Sequence, residues 1–179
     1  MTAAAVNSMF EKVNKGLDES LGEQGYELVN GPSEEQDTHE GQTGGYLVAN
    51  VPFNKAGDRV LMELAVFELF DVKVLRYDTT IFANITNDGV DSLDRVLEEL
   101  NLLCPFGHFS IYDGDLYHRY SVILPEFTPA KSDKISEAVL LDIDTIRKIL
   151  AINFSSLEEA LEDDDQYLRL KKKTGTKKK

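Results

Sequence analysis

The residues best suited to chemistry lie in one stretch of the sequence, residues 99–125. The stretch holds the only cysteine, Cys104, and two of the three histidines, His108 and His118. A thiol and two imidazoles are groups that zinc accepts as ligands, and they also occur in redox sensors and thiol enzymes. The set predicts either a metal or small-molecule site in a sensor or enzyme, or a fold element with polar caps and turns.

The spacing of these three residues favours the fold element. A reactive thiolate is stabilised by a helix N-terminus or a cation, whereas Cys104 follows the end of a predicted helix, where the dipole disfavours negative charge. Structural zinc sites use four ligands at recognisable spacing, and the sequence offers no evident fourth. We therefore predict no metal, no cofactor and no catalytic residue, and keep a site built from Cys104, His108 and His118 as the alternative.

The other polar residues of the stretch have structural explanations. Asp113 and Gly114 fit the two left-handed positions of a type I′ turn, which accounts for Asp115 as well without a calcium loop. Tyr112, Tyr117 and Tyr120 fit cross-strand aromatic pairs, although they could also stack a ligand. The sequence contains no phosphate-binding glycine loop, no Gly-x-Ser-x-Gly and no His-Glu-x-x-His, so it predicts a protein that is not an enzyme.

The elements around this stretch follow from hydrophobic periodicity. Apolar residues at three- and four-residue spacing predict helices over 3–21, 87–103 and 132–152, followed by a last helix or a helical extension over 155–170. β-branched and aromatic residues predict strands at 25–29, 46–53 and 73–86 and in a hairpin over 108–125. The stretch over 59–70 fits either the helical or the strand period, and its valines and phenylalanines favour a strand. Short turns join antiparallel strands, and each helix has one apolar stripe. The prediction is an α+β fold of two layers, an antiparallel β-sheet with helices packed on one face.

Local signals predict how some elements bend and end. The strand over 73–86 is expected to bend near Asp78. Asn87 or Asp88 is expected to cap the following helix. At the far end of that helix, Asn101 is expected to hydrogen-bond the helix terminus, and Gly107 to take a positive φ.

Charge is distributed unevenly and bounds the class of partner. The chain has a net charge of −13, yet residues 169–179 contain seven of its 19 basic residues. The first 168 residues hold 12 basic and 32 acidic residues, a formal charge of −20. A body this acidic repels nucleic-acid phosphates and attracts basic proteins. We predict one domain over 1–168, with a mobile loop at 30–45, and a disordered basic tail over 169–179.

Cysteine content and hydropathy bear on location. A single cysteine cannot form an internal disulfide, which fits a reducing cytoplasm. The sequence has no apolar run of about 18 residues, so no membrane span is predicted. These features predict a cytoplasmic protein without a membrane partner.

The segment from Thr79 to Leu124 resembles the YbjN-type domain. The resemblance rests on the strand "TTIFANIT", a helix ending in Leu100-Asn101, the opening Gly107, and the aromatic-basic-aromatic pattern of Tyr117–Tyr120. This family shares its fold with type III secretion chaperones, which are small, acidic and cytoplasmic, have no enzymatic activity and hold an extended client segment. The resemblance implies a helix–sheet–helix domain that is commonly homodimeric. The loop at 30–45 and the basic tail lie outside the pattern.

Together these observations predict a non-enzymatic cytoplasmic protein-binding module, chaperone-like or regulatory, that forms a homodimer. The strand over 59–70 has two largely apolar faces, one of which needs cover from a partner or a second copy. The predicted partner-binding residues of that strand are Val60, Met62, Leu64, Val66, Phe67 and Phe70.

Overall fold

The computed structural model describes residues 2–21, 25–30, 41–124, 132–161 and 168–171. The three helices are α1 (Ala3–Leu21), α2 (Asn87–Leu103) and α3 (Ser132–Glu159). The strands are β1 (Glu27–Asn30), β2 (Leu47–Pro52), β3 (Asp58–Leu69), β4 (Val72–Ala83), β5 (His108–Tyr112), β6 (Asp115–Ile123) and β7 (Leu168–Lys171). Within the predicted loop at 30–45, residues 31–40 lie outside the described residues, and residues 41–43 run beside β3, where the Thr43 amide bonds the Val66 carbonyl at 2.8 Å.

The strands form one open antiparallel sheet in the order β1-β2-β3-β4-β6-β5, with helices packed on it. This confirms the predicted α+β class. The predicted helices over 3–21 and 87–103 coincide with α1 and α2, and the third continues into its predicted extension only as far as Glu159. The helical prediction is wrong for residues 168–170, which belong to β7. None of the helices among the described residues is long and apolar enough to cross a membrane.

The short strand β7 enters the sheet where β3 and β4 separate. It pairs with Asp58 and Arg59 on one side and with Phe82 and Ala83 on the other. The disordered tail was predicted to begin at residue 169. Because residues 169–171 belong to β7, that boundary is wrong. Separating strands leave backbone groups that any extended segment can satisfy, whatever its charge. Residues 172–179 lie outside the described part of the chain.

Side-chain alternation along β3 decides which of its residues are buried. Its even-numbered positions face the helices, and the four predicted partner-binding residues among them have no exposed surface: Val60, Met62, Leu64 and Val66. They pack with the apolar stripes of α1 and α3 in one core. The expectation that these four lie on an exposed face is therefore wrong, because the helices cover that face.

The odd-numbered positions lie on the open face, which is polar across its middle. Glu63, Asp78, Arg119 and His108 are successive register partners on four strands. Asp78 forms ion pairs with Arg119 and with Arg76, and the Nε atom of Arg76 lies 2.7 Å from a carboxylate oxygen of Asp78. Charged side chains that pair with one another on a solvated face need no covering layer.

Three local predictions differ from the structure. The β4–β6 ladder is continuous at Asp78, and its register shift falls between Thr80 and Phe82. The N-cap of α2 is Thr86, whose hydroxyl accepts from the Gly89 amide, because a capping side chain must precede the first helical residue. Asn101 bonds the backbone of Phe109 instead of its own helix end, so it docks α2 against the outer edge of β5.

Candidate functional site

Two of the three residues predicted for a metal or redox site, Cys104 and His118, meet at the turn between α2 and β5. His118 lies on the helix-covered face of β6 with no exposed surface. Its Nε2 is 2.8 Å from the carbonyl oxygen of Phe106. A carbonyl only accepts, so the ring donates through Nε2–H. The Cys104 thiol bonds the same carbonyl at 3.1 Å, and its sulfur is 4.0 Å from Nε2.

His108 does not join them. It pairs in register with Arg119, one position beyond His118, so its exposed side chain lies on the opposite face of the sheet. Within the described ranges no group of three or more His, Cys, Asp and Glu is placed to hold a metal ion. The residues of the alternative site therefore do not lie on one face of the sheet. Cys104 and His118 lie close together because both donate hydrogen bonds to the Phe106 carbonyl, which holds the turn in place.

Burial of His118 predicts a dependence of stability on pH. Burial lowers the pKa of His118, because the interior disfavours the charged imidazolium. The unfolded chain keeps the ordinary histidine pKa of about 6.5, so below that pH the unfolded state binds the proton more readily. The contribution of His118 to the free energy of unfolding is therefore fully present above pH 6.5. It decreases on acidification, by at most about 1.4 kcal/mol per pH unit.

Urea unfolding at a series of pH values from neutral to mildly acidic checks this dependence. His118→Gln should flatten the curve in that window, since glutamine gains no charge. The control His108→Gln removes an exposed histidine whose charge lowers the pKa of His118 less than burial does, so most of the dependence should remain. An unchanged slope in His118→Gln would assign the dependence to another group.

A second feature lies at the other end of β6, where this strand is longer than β5. The β5–β6 ladder runs only from Tyr112↔Asp115 to His108↔Arg119. Leu124 donates its amide to β4, so by alternation the amides of Ser121 and Ile123 point away from β4. Within the described residues no strand lies on that side of 120–123. Among the described residues, β6 therefore has a short open strand edge at 120–123.

A groove of about 400 Å³ lies between this end of the sheet and the first turns of α3. We call it the β6–α3 groove. Its walls are mainly apolar, with one cation and one carboxylate. The lining residues are Leu75, Val122, Ile123, Leu124, Lys134, Ile135, Ala138, Val139 and Asp142.

Asp142 is the best-defined polar group of the groove. The Tyr77 hydroxyl donates to its Oδ2 at 2.8 Å, and Tyr77 itself is fully buried in the core. Burial raises the pKa of Asp142, and the bond from Tyr77 opposes that rise. Burial and the nearby carboxylate strongly raise the pKa of Tyr77, so the phenol stays protonated and acts as the donor. Tyr77 therefore fixes the orientation of this carboxylate.

A larger cavity of about 620 Å³ lies between α2 and the end of α3. Its walls include the charged side chains Asp91, Arg95, Glu99 and Glu159. Ligand sites are mostly apolar concavities with a few convergent polar groups. The β6–α3 groove meets that description better, and it also adjoins the open strand edge.

Two of the predicted partner-binding residues remain accessible or near the surface. Phe67 lies on the open face under the Arg76 guanidinium, which is 4.2 Å from the ring centroid. Phe70 stands at the tip of the β3–β4 hairpin, 98% exposed and at a positive φ of 49°. Partner binding by these two stays a prediction.

Sequence reasoning missed the β6–α3 groove, although a signal for it exists. From the turn at Asp113-Gly114, one arm reaches only five residues back to His108, whereas the other continues to Ile123. Gly107 ends the shorter arm. Unequal arms of a hairpin leave the longer one unpaired beyond the shorter, which marks an edge.

Comparison with known proteins gives no match: no family model, no curated protein and no solved structure matches the chain. The resemblance to the YbjN-type domain therefore stays a prediction.

Proposed function

We propose that this protein is a non-enzymatic cytoplasmic module that binds an extended segment of another protein by strand addition to β6. The observation that carries the proposal is the open edge of β6 at 120–123, directly beside the β6–α3 groove. Free backbone groups supply affinity for an extended chain, and an adjacent groove receives its alternate side chains.

The contrast with the edge of β5 supports this choice of edge. There, Asn101 occupies both backbone groups of Phe109, with bonds of 2.6 and 2.9 Å. An edge whose groups are already bonded gains little from an added strand. The edge of β6 at Ser121 and Ile123 has no such cover within the described chain.

The apolar surface continues from the groove towards the tip of the β3–β4 hairpin. Ile123 lines the groove and is 68% exposed, and its register partner Val74 pairs in turn with Phe67. Phe70 lies just beyond. A partner longer than the groove would meet the two remaining predicted residues, while the acidic body would favour basic partners. A homodimer, expected from the resemblance, stays a prediction.

Proline at position 121 tests strand addition. We expect Ser121→Pro to weaken binding at least tenfold, because it removes an amide that points to the open edge and leaves the β4 ladder intact. The matched control, Ser121→Ala, keeps the amide and should bind as the parent protein does. The probe is a pooled set of nine-residue synthetic peptides with alternating apolar and polar positions, with the retained peptides identified by mass and titrated individually.

A second readout separates strand addition from other binding. Amide hydrogen exchange of Ser121 and Ile123 should slow when a retained peptide is added. Thermal unfolding of both variants verifies that they fold. Retained binding in Ser121→Pro, unchanged exchange at these amides, or a parent protein that retains no peptide would overturn the proposal.

A further inference from the structure

The charges in the β6–α3 groove restrict the sequence of the added segment, an inference that rests on the proposed function. We propose that the segment carries an acidic, an apolar and a basic side chain at positions i, i+2 and i+4, in that order from its N-terminus. The acid meets Lys134, the apolar side chain enters the middle of the groove, and the base meets Asp142.

The distance between the two charges sets the spacing. Lys134 and Asp142 are eight residues apart on α3, and a rise of 1.5 Å per residue places them about 12 Å apart along the axis. Four residues of a strand span about 13 Å, and side chains at i, i+2 and i+4 share one face. An extended segment can therefore meet both charges with the same face that enters the groove.

The direction of α3 relative to β6 sets the positions of the two charges. Asp142 bonds Tyr77, the register partner of Tyr120, so the carboxylate lies at the Tyr120 level of β6. The other α3 residues that line the groove come before Asp142 in the sequence. The lining residues at the end of β6, in contrast, come after Tyr120. The two elements therefore run in opposite directions along the groove, and Lys134 lies at the Leu124 end.

The order of charges follows from the direction of the added strand. Every strand pairing among the described residues is antiparallel. Antiparallel pairing is also the more stable kind per residue. A segment antiparallel to β6 starts at the Leu124 end and finishes at the Tyr120 end. Its N-terminal charged residue therefore faces Lys134 and must be acidic, and its C-terminal one faces Asp142 and must be basic.

Both charges are available for such contacts. Neither Lys134 nor Asp142 forms an ion pair within the described part of the chain, and the Tyr77 hydroxyl occupies only one carboxylate oxygen of Asp142. Apolar walls around a carboxylate also suit Lys and Arg, whose aliphatic stems pack on them while the cation reaches the acid.

The test uses three labelled peptides that differ only in charge: Ac-GTETVTRTG-NH2, Ac-GTRTVTRTG-NH2 and Ac-GTRTVTETG-NH2. Fluorescence anisotropy at low and high salt gives their affinities. For the parent protein, the first peptide should bind about fivefold more tightly than the second. Its advantage in affinity over the third should be larger. The difference should shrink at high salt.

A change of charge in the protein should change the preference. Lys134→Glu should favour Ac-GTRTVTRTG-NH2 over Ac-GTETVTRTG-NH2, because its carboxylate now meets the basic side chain at that end. The control Lys148→Glu makes the same change on an exposed part of α3 outside the groove lining and should keep the parent ranking. Asp142→Asn, which still accepts from Tyr77, should lose the preference for Ac-GTRTVTRTG-NH2 over Ac-GTRTVTETG-NH2, two peptides that differ only in arginine or glutamate at the C-terminal charged position.

The outcomes separate this inference from the proposed function. Three peptides of equal affinity that all lose binding in Ser121→Pro would overturn the charge order and leave strand addition standing. Tightest binding by Ac-GTRTVTETG-NH2 would overturn the antiparallel direction. A ranking that responds to Lys134→Glu but not to Ser121→Pro would overturn strand addition and leave the charge contacts standing.

Discussion

Replacing Gly107 with alanine should lower the free energy of unfolding by about 3 kcal/mol, one of the two largest effects that we expect in this chain. A Cβ at this position would lie 2.4 Å from the Arg119 carbonyl oxygen and 2.9 Å from the His118 ring. Its φ of +75° also strains any residue with a side chain. The backbone carbonyl and the buried ring cannot move away without opening the start of β5. Urea unfolding monitored by circular dichroism measures the change.

Gly57→Ala is the matched control. Gly57 has a similarly positive φ of +87°, but a Cβ there would have no neighbour within 4 Å. The positive φ by itself should lower the free energy of unfolding of Gly57→Ala by about 1 kcal/mol. Equal losses in the two variants would show that the contact with His118 and Arg119 does not restrict position 107.

Leu64→Ala should cost about 3 kcal/mol and lower the melting temperature by roughly 6–12 °C. Leu64 is fully buried between its register partners Leu47 and Tyr77, so truncation leaves a cavity that the surrounding core fills only in part. This test bears on function as well. A residue of a partner surface would lose affinity on truncation and retain stability, whereas a core residue loses stability.

Leu69→Ala provides the comparison for Leu64→Ala. Leu69 belongs to the same strand but is 52% exposed at its end, so the loss should stay within about 1 kcal/mol. Thermal unfolding of both variants tests the assignment. If Leu64→Ala unfolds like Leu69→Ala, then the helices do not cover that face of β3 as the structure shows.

The strand β3 was predicted correctly, but four of the residues predicted to be on its exposed face are buried. The stretch that contains Val60, Met62, Leu64 and Val66 was predicted to favour a strand with two largely apolar faces, and the strand is there. Alternation states only that two faces exist. Which face the helices cover depends on contacts with α1, which ends at Leu21, and with α3, which begins at Ser132, and both helices are far from β3 in the sequence. Those contacts placed the predicted residues inside.

The chemical residues of the hairpin give a similar lesson. The turn at Asp113-Gly114 was predicted from a dipeptide and confirmed, with both residues at positive φ. Register then separated His108 from His118, because a difference of one position between paired strands puts two side chains on opposite faces. The carbonyl that holds both Cys104 and His118 belongs to Phe106, and no property of a phenylalanine side chain indicates it.

By itself, the sequence determined the helices, the main strands, the tight turn and the acidic body, because these depend on periodicity, on turn residues and on counts of charge. Unequal arms of the hairpin mark a possible edge, but the tertiary structure alone decided whether β6 stays unpaired there. It alone also decided the groove beside β6, the insertion of β7 and the pairing of Tyr77 with Asp142. The physical reason is that backbone groups are the same in every residue. Whether a strand edge is bonded or open therefore depends on what lies beside it in space, which side-chain patterns do not record.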